Sequence, residues 1–405
     1  MARHEHVVCP FCPLLCDDVT VEVGGGRVVT AEGCPTGQRL FTLDQHGDAP
    51  PMVEGRVADL TTAVQRAATL LVGARRPLVL LLGSQSSEAA SAAAALAAAL
   101  GGVADGPPEL AGTLEAMTRV GLASASLGEV RNRADTIVLW RTDPAVSHPC
   151  LARRFIEAPG LYRPGGRADR MLIGVHDHAA PGGVDEALAL PSGGVLETLW
   201  ALRAAVREPA PHGEVGALAG RLRAARYGAL LYDAKAPMAE IAGLLALVDE
   251  LNTVGRWAAF GLFSAPNAWG TAAALAGATG YGRAVSFGGA GAQHNGDEFA
   301  APTLLGSGWA DALLVVGAGP GDALPFTVPP DLSAIPTVAV GVRPAAWAEQ
   351  ATVWLPVGQP GVAAAGTMAR LDRMALPLRA LVESPWPADH AMVRLLLEEV
   401  VRRVA

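Results

Sequence analysis

The sequence predicts an α/β protein in which a small β-rich segment with four cysteines precedes layers of parallel sheet covered by helices. Three observations carry this. Four of the five cysteines fall within the first 34 residues. Short runs that are apolar on both faces recur along the remainder, beginning with Pro77–Leu82. Most of these runs end in a loop containing glycine or aspartate, and a strand buried on both faces belongs in a parallel sheet between helices.

The bulk numbers agree. At 405 residues the chain exceeds the roughly 250 to 300 residues at which single cores stop growing, so two or three domains are expected. Hydrophobic content of 51% with 17% charged residues, 47 glycines and 30 prolines suits a well-buried, loop-rich α/β protein. The most apolar stretches, Pro77–Gly83 and Ala89–Val103, are too short or too weakly apolar for a membrane span of about 20 residues. No apolar core follows Met1–Val8, so no secretory signal is read and a cytoplasmic location is expected. Net charge is -8, and the basic residues are almost all scattered arginines, such as Arg75-Arg76, Arg153-Arg154 and Arg402-Arg403; Lys235 is the only lysine. Without a basic face to displace counterions, nucleic acid is excluded as a partner.

Taken in order, Asp18–Val23 alternates polar and apolar, Gly24-Gly25-Gly26 turns, and Arg27–Ala31 returns, which predicts a β-hairpin. Asp59–Leu71 has the apolar spacing of a helix. Strand Pro77–Leu82 ends at Gly83-Ser84-Gln85-Ser86 and leads into a helix over Ser87–Leu100. Further strands are predicted at Thr136–Trp140, Met171–Val175, Ala229–Tyr232, Ala312–Val316, Thr337–Val340 and Thr352–Leu355. This repeat points to Rossmann-like layers, with ligands expected off the carboxyl ends of the strands.

The cysteines read C-x2-C-x3-C-x17-C, as Cys9, Cys12, Cys16 and Cys34, with the hairpin between the last two. Three closely spaced thiols bend around one centre and a fourth from a later loop closes it, as a cubane iron-sulfur cluster requires. Zinc and an empty set of thiols are the alternatives, though zinc more often uses two C-x2-C knuckles. Cys150 is read as a packed small side chain.

Candidate strand-end loops are Gly83-Ser84-Gln85, Arg141-Thr142-Asp143-Pro144, His176-Asp177-His178 and Gly317-Ala318-Gly319-Pro320-Gly321-Asp322. None is a phosphate loop or a clean G-x-G-x-x-G, and no G-x-S-x-G elbow is present. His176 and His178 are read as a solvated loop, not a metal site. Trp140, Trp257, Phe260, Phe263 and Trp269 are weighed as partner contacts, with core packing the ordinary outcome for aromatics.

A four-cysteine hairpin ahead of such layers resembles the large subunits of molybdopterin and tungstopterin oxidoreductases. The stretches Cys12-Pro-Leu-Leu-Cys16-Asp17-Asp18, Leu127-Gly-Glu-Val-Arg-Asn-Arg-Ala-Asp135, Asp143-Pro-Ala-Val-Ser-His-Pro149 and Thr279-Gly-Tyr281 leading to Phe287 narrow the resemblance to the B subunit of formylmethanofuran dehydrogenase. It implies Rossmann-like three-layer α/β domains of the molybdopterin oxidoreductase type. The implied division is 1–50 for the four-cysteine hairpin domain, 51–103 with 225–405 for a discontinuous α/β domain, and 104–224 for an inserted one. In the redox-active family a cysteine or selenocysteine followed by histidine binds the metal, in a segment like Val-Cys-His-Gly-Pro. Here the segment reads Val103-Ala104-Asp105-Gly106-Pro107. Alanine offers no metal ligand, and aspartate does not replace an imidazole as proton shuttle. An arginine of the family near Phe287 is also absent.

The resemblance therefore points to the branch found in methylotrophic bacteria, the formyltransferase/hydrolase complexes of one-carbon metabolism. There a B subunit without redox chemistry serves as scaffold beside an amidohydrolase-like A subunit, a C subunit and a formyltransferase D subunit. No catalytic residue is expected in this chain. The cofactor site of the pterin is expected to be empty or collapsed, because Ala363-Ala364-Ala365 stands where the family's closing segment, Gln359-Pro360-Gly361 to Arg370-Leu371-Asp372, has more polar residues. Two readings remain beside it, an active tungsten or molybdenum subunit and an iron-sulfur electron-transfer module.

Overall fold

The computed structural model describes residues 1–43, 49–208, 213–318, 334–343 and 348–404. Two compact units emerge. The first comprises Met1–Pro108, Ala265–Arg370 and Ala375–Ala405, and the second Glu109–Ser264 with Leu371–Met374.

The first unit opens with an antiparallel sheet of β1 (Ala2–Val7), β2 (Val19–Gly24) and β3 (Arg27–Ala31), in that spatial order. The glycine run closes the β2–β3 hairpin as its spacing predicts, with Gly25 and Gly26 both at positive φ, where only a residue without Cβ is unstrained. Helix α1 (Pro35–Thr42) follows, with proline in its first turn. The short β4 (Met52–Val53) and β5 (Arg56–Val57) lead into α2 (Leu60–Gly73), whose N-terminus is capped by Asp59 accepting from the Thr62 amide at 2.9 Å. Strand β6 (Pro77–Leu81) is buried along its whole length. Ser86 then caps α3 (Ser87–Ala99), an alanine-rich helix whose small side chains let neighbouring helices approach closely. Next comes β7 (Val103–Asp105).

The second unit starts with α4 (Ala111–Val120) and α5 (Leu127–Arg133), the latter held by a capping box between Ser126 and Glu129. Then come β8 (Thr136–Trp140), α6 (Pro144–Ser147), a π-helical turn at Ala152–Glu157, β9 (Met171–His176), β10 (Glu186–Ala189), α7 (Val195–Arg207) and α8 (Gly213–Ala224). Strand β11 (Tyr227–Asp233), α9 (Met238–Leu251) and β12 (Arg256–Leu262) complete it. The five strands form one parallel sheet in the order β10-β9-β8-β11-β12.

The chain then re-enters the first unit through α10 (Ala268–Thr279), β13 (Val285–Ser286), β14 (Gln293–His294), α11 (Ala301–Gly306), β15 (Ala312–Ala318), β16 (Thr337–Gly341), β17 (Val353–Pro356), β18 (Gly366–Ala369), β19 (Ala375–Leu378) and α12 (Asp389–Val404). Among the described residues its main sheet runs β14-β13-β7-β6-β15-β16-β17-β4-β5, parallel from β7 through β17 and antiparallel outside them. Its core packs α2, α3 and α12 against one face, through residues such as Leu71, Leu96, Leu314, Val340 and Leu396.

The expected return at residue 225 is corrected. Strand β11 pairs in register with β8, Leu230 opposite Val138, and β12 extends the same sheet from the other side of β11. Both strands are thus committed by backbone hydrogen bonds to the inserted unit, which runs on to Ser264. Strand β12 had no place in the predicted set. Its run Trp257-Ala-Ala-Phe-Gly-Leu is apolar and bounded by turn residues, Asn252 to Gly255 before it and Ser264 to Asn267 after it, so the signal was present and passed over. The glycine-rich loop after β15 lies outside the described residues from Gly319 to Asp322. Among the described residues no helix is long and apolar enough to cross a membrane.

Candidate functional site

The four cysteines lie at the base of the β2–β3 hairpin. The Cys9 amide donates to the Cys16 carbonyl at 2.8 Å and the Leu15 amide to that of Cys12 at 3.0 Å, so the first three are folded into one tight loop. Leu15 takes positive φ (38°) to close it, and its buried side chain packs with Met368 and Leu378. Cys34 is the residue preceding α1, and its Sγ accepts from the Gly37 amide at 3.4 Å. Gly37 is where the first and fourth cysteines meet. A Cβ there would stand 3.4 Å from the Cys9 Sγ and 3.7 Å from that of Cys34. Burial pushes the Cys9 thiol well up, and proximity to Cys12, Cys16 and Cys34 pushes it the same way. The sulfurs thus share one electrostatic neighbourhood. Among the described residues no group of three or more His, Cys, Asp or Glu is set to hold a metal ion.

The segment Val103–Pro107 has a different character. Ala104 is fully buried in β7, opposite Val79 on one side and Val285 on the other. Asp105 is buried too, and its two oxygens are saturated. Oδ1 accepts from the amides of Gly106 (2.9 Å) and Ala284 (3.0 Å), and Oδ2 from the Ala301 amide (2.8 Å) and the Arg283 guanidinium (3.1 Å). Burial pushes its carboxyl up, opposed by Arg283 and the three amides. A carboxylate with every lone pair engaged ties β7 to the start of β13 and of α11. It has no open position from which to pass a proton.

Counted along the chain, the parallel core of the first unit has the order 2-1-3-4-5, which reverses between β6 and β15. Ligands of such sheets sit at the reversal, off the carboxyl ends. A cavity of only about 20 Å³, room for little more than one water, lies there, lined by Ser84, Gln85, Gly317, Gly341, Gln359 and Asp389 among others. Its polar groups are turned on one another. The Ser84 hydroxyl donates to the Gly317 carbonyl, Gln85 Oε1 accepts from the Gly83 amide at 2.8 Å, and Gln85 Nε2 donates to Thr271 at 2.8 Å. Asp389 accepts from the Ser86 amide (2.6 Å) and hydroxyl (2.8 Å). No lysine or arginine lines this cavity among the described residues. Gln359, in the closing segment, spends its carbonyl on the amides of Val362, Ala363 and Ala364.

In the second unit, Arg141 follows β8 at positive φ (49°) and is clamped by Asp177 (2.7 Å) and by the buried Glu240 (2.7 Å), which also accepts from the Trp140 indole at 2.9 Å. These carboxylates hold the Arg141 guanidinium above its usual range, Asp177 foremost. Asp143 caps α6 through the Ala145 amide at 2.9 Å. His176-Asp177-His178 therefore supplies an ion pair through its central residue. Sequence reasoning missed Glu240, in the first turn of α9; an acid directly ahead of the apolar run Ile241 to Val248 was the available signal. Cys150 is buried, as read from sequence, and so are Trp140, Trp257, Phe260, Phe263 and Trp269, which the core claims and no partner can reach.

No protein-family model matches the chain. The B subunit of tungsten-containing formylmethanofuran dehydrogenase 2 from Methanocaldococcus jannaschii is 27% identical over 98% of both chains. The B subunit of the formyltransferase/hydrolase complex Fhc from Methylorubrum extorquens is 30% identical over 326 residues, 78% of this chain and 87% of its own length. The chain belongs to the family of formylmethanofuran dehydrogenase B subunits. A crystal structure of the Methylorubrum extorquens formyltransferase/hydrolase complex FhcABCD with methylofuran contains a chain that matches at a TM-score of 0.75 and 27% identity, over 87% of this chain and 99% of that one. The family resemblance read from Cys12–Asp18, Leu127–Asp135 and Asp143–Pro149 is thus shown.

Proposed function

We propose that this chain is the B subunit of a formyltransferase/hydrolase complex of one-carbon metabolism, cytoplasmic and without redox chemistry of its own, assembled with A, C and D subunits that carry formyl transfer and hydrolysis. The single observation that carries this is the buried pair Ala104 and Asp105. The position expected to ligate tungsten or molybdenum is a methyl group in a sheet core, and its neighbour is consumed by four hydrogen bonds. The second support is the cavity at the β6–β15 reversal, whose described lining offers a carboxylate and no cation to a diphosphate-linked pterin.

The four cysteines are read as an inherited metal site kept as a staple, for a cubane cluster or zinc. They supply the thiol donors around Gly37, and closure on a metal would draw the loop inward, because binding and local folding are coupled in such sites. The raised Cys9 thiol must lose its proton on binding, so uptake strengthens as pH rises.

The test is metal quantitation on the complex purified anaerobically, alongside formyl-carrier hydrolysis. Hydrolysis with only trace tungsten and molybdenum is expected. Either metal at near one per copy of this chain would overturn the reading.

A further inference from the structure

We propose that the two-residue turn between Gly160 and Arg163, in the second unit, is a docking finger that inserts Leu161 and Tyr162 into an apolar pocket rimmed by carboxylates on another subunit of the complex. This rests on the assembly reading above.

The turn is closed at both ends, the Gly160 amide donating to the Arg163 carbonyl (2.9 Å) and the Arg163 amide to that of Gly160 (3.1 Å). At its apex Leu161 is 75% and Tyr162 56% exposed, two adjacent large apolar side chains presented outward. Other exposed apolar residues, such as Trp200 and Val57, have no such apolar chain neighbour exposed beside them, and isolated ones are ordinary on any surface.

What separates this turn from a loose loop is its bracing. The Leu161 amide donates to Asn132 Oδ1 (3.0 Å) and the Tyr162 amide to the Asn132 carbonyl (3.0 Å). Arg131 donates to the Pro159 carbonyl (2.9 Å), Arg163 to that of Arg133 (3.1 Å) and to Asp135 (3.0 Å), and Arg170 to the carbonyls of Ile156 (2.6 Å) and Ala158 (3.1 Å). A Cβ at Gly160 would collide with the Arg131 carbonyl, so only glycine permits this approach. The Arg133 guanidinium lies 4.8 Å from the Tyr162 ring centroid. Backbone and ring are therefore ordered before any partner arrives, which lowers the entropic cost of association. A tyrosine held rigid among arginines has the composition of an interface centre, and Leu161 adds apolar area beside it.

Charge selects the occupant. Around the turn the exposed charged side chains of residues 131–133 and 150–170 are Arg131, Arg133 and Arg153 against Glu157, three cations to one anion in a chain of net charge -8, while Arg163 and Arg167 are paired with Asp135 and Asp185 and Arg170 is buried. A second copy meeting this finger across a two-fold axis would set like charges together, whereas a carboxylate rim on a different subunit complements it.

The experiment co-expresses the chain with the remaining subunits encoded with it and compares wild type with a Leu161→Asp/Tyr162→Asp double variant. Both side chains are exposed, so circular dichroism and the thermal midpoint of the isolated chain should not move. Recovery of the partner subunits should fall at least about tenfold. In parallel, a photo-crosslinking residue at position 162 in the intact wild-type background should join a partner peptide containing Asp or Glu, a readout that holds even if the double variant misfolds. Undiminished partner recovery, or a crosslink only to a second copy of this chain, would overturn the finger while leaving the complex intact. A wild-type chain that retains no partner subunit would overturn both.

Discussion

Replacing Asp105 by alanine tests whether this residue is architecture or chemistry. The substitution strips four donors of their acceptor at once: the amides of Gly106, Ala284 and Ala301, and the Arg283 guanidinium. Arg283 is buried beside it (side-chain exposures 7% and 1%), so its charge is left in the interior, keeping its 3.2 Å bond to the Gly296 carbonyl. Removing one partner of a buried ion pair costs about 3 to 5 kcal/mol, and orphaned amides add to it where water cannot reach them. A loss of about 4 kcal/mol would be a large share of the roughly 5 to 15 kcal/mol by which such proteins are stable. Asparagine does not rescue it, because each oxygen accepts from two donors and an amide nitrogen at either place would face two N–H groups. Urea unfolding followed by circular dichroism reads the change, with a lower midpoint and an unchanged slope for the transition of this unit. A loss below about 1 kcal/mol would show that Asp105 is not holding β7, β13 and α11 together, and the claim that its carboxylate is consumed by structure would fail.

Restoring the family's residues, Ala104→Cys with Asp105→His, should for the same reason lower stability without conferring tungsten binding, checked by metal analysis after growth in tungstate. Burial lowers the His148 pKa to about 4. The unfolded chain therefore takes up the proton first, near pH 6.5, and stability falls as pH drops from there toward 4, by about 3 kcal/mol at the full shift. A His148→Phe variant should lose that part of the pH dependence, and parallel stability–pH curves for the two proteins would refute it. Glu240→Ala should cost about 2 kcal/mol by orphaning the Trp140 indole and one side of Arg141, seen as a lower thermal midpoint. Cys9→Ser with Cys12→Ser should remove any bound iron or zinc and lower the thermal midpoint; unchanged stability and assembly would mark the cysteines as vestigial.

Much of the strand framework was legible because a parallel strand buried on both faces leaves an uninterrupted apolar run. Thr136–Trp140 has the observed bounds, and Met171–Val175, Thr337–Val340 and the run from Pro77 fall within one residue of them. The hairpin between Cys16 and Cys34 was legible for a related reason: it is dictated locally, by alternation and three glycines. The family could be read from short motifs.

Tertiary structure decided what those residues do. Nothing local to Val103–Pro107 says that Asp105 meets Arg283 and Ala301, which lie 178 and 196 residues away. The unit boundary at Ser264 was invisible for the same reason, since strand membership is settled by backbone pairing between β11 and β8 and not by the run itself. Surface is the extreme case. Five aromatics that composition put forward are core, while Leu161 and Tyr162, unremarked in sequence, stand in water because the arginines and Asn132 around them bind the backbone of their turn. Periodicity determines which residues can be buried; only the partners that arrive from distant segments determine which are.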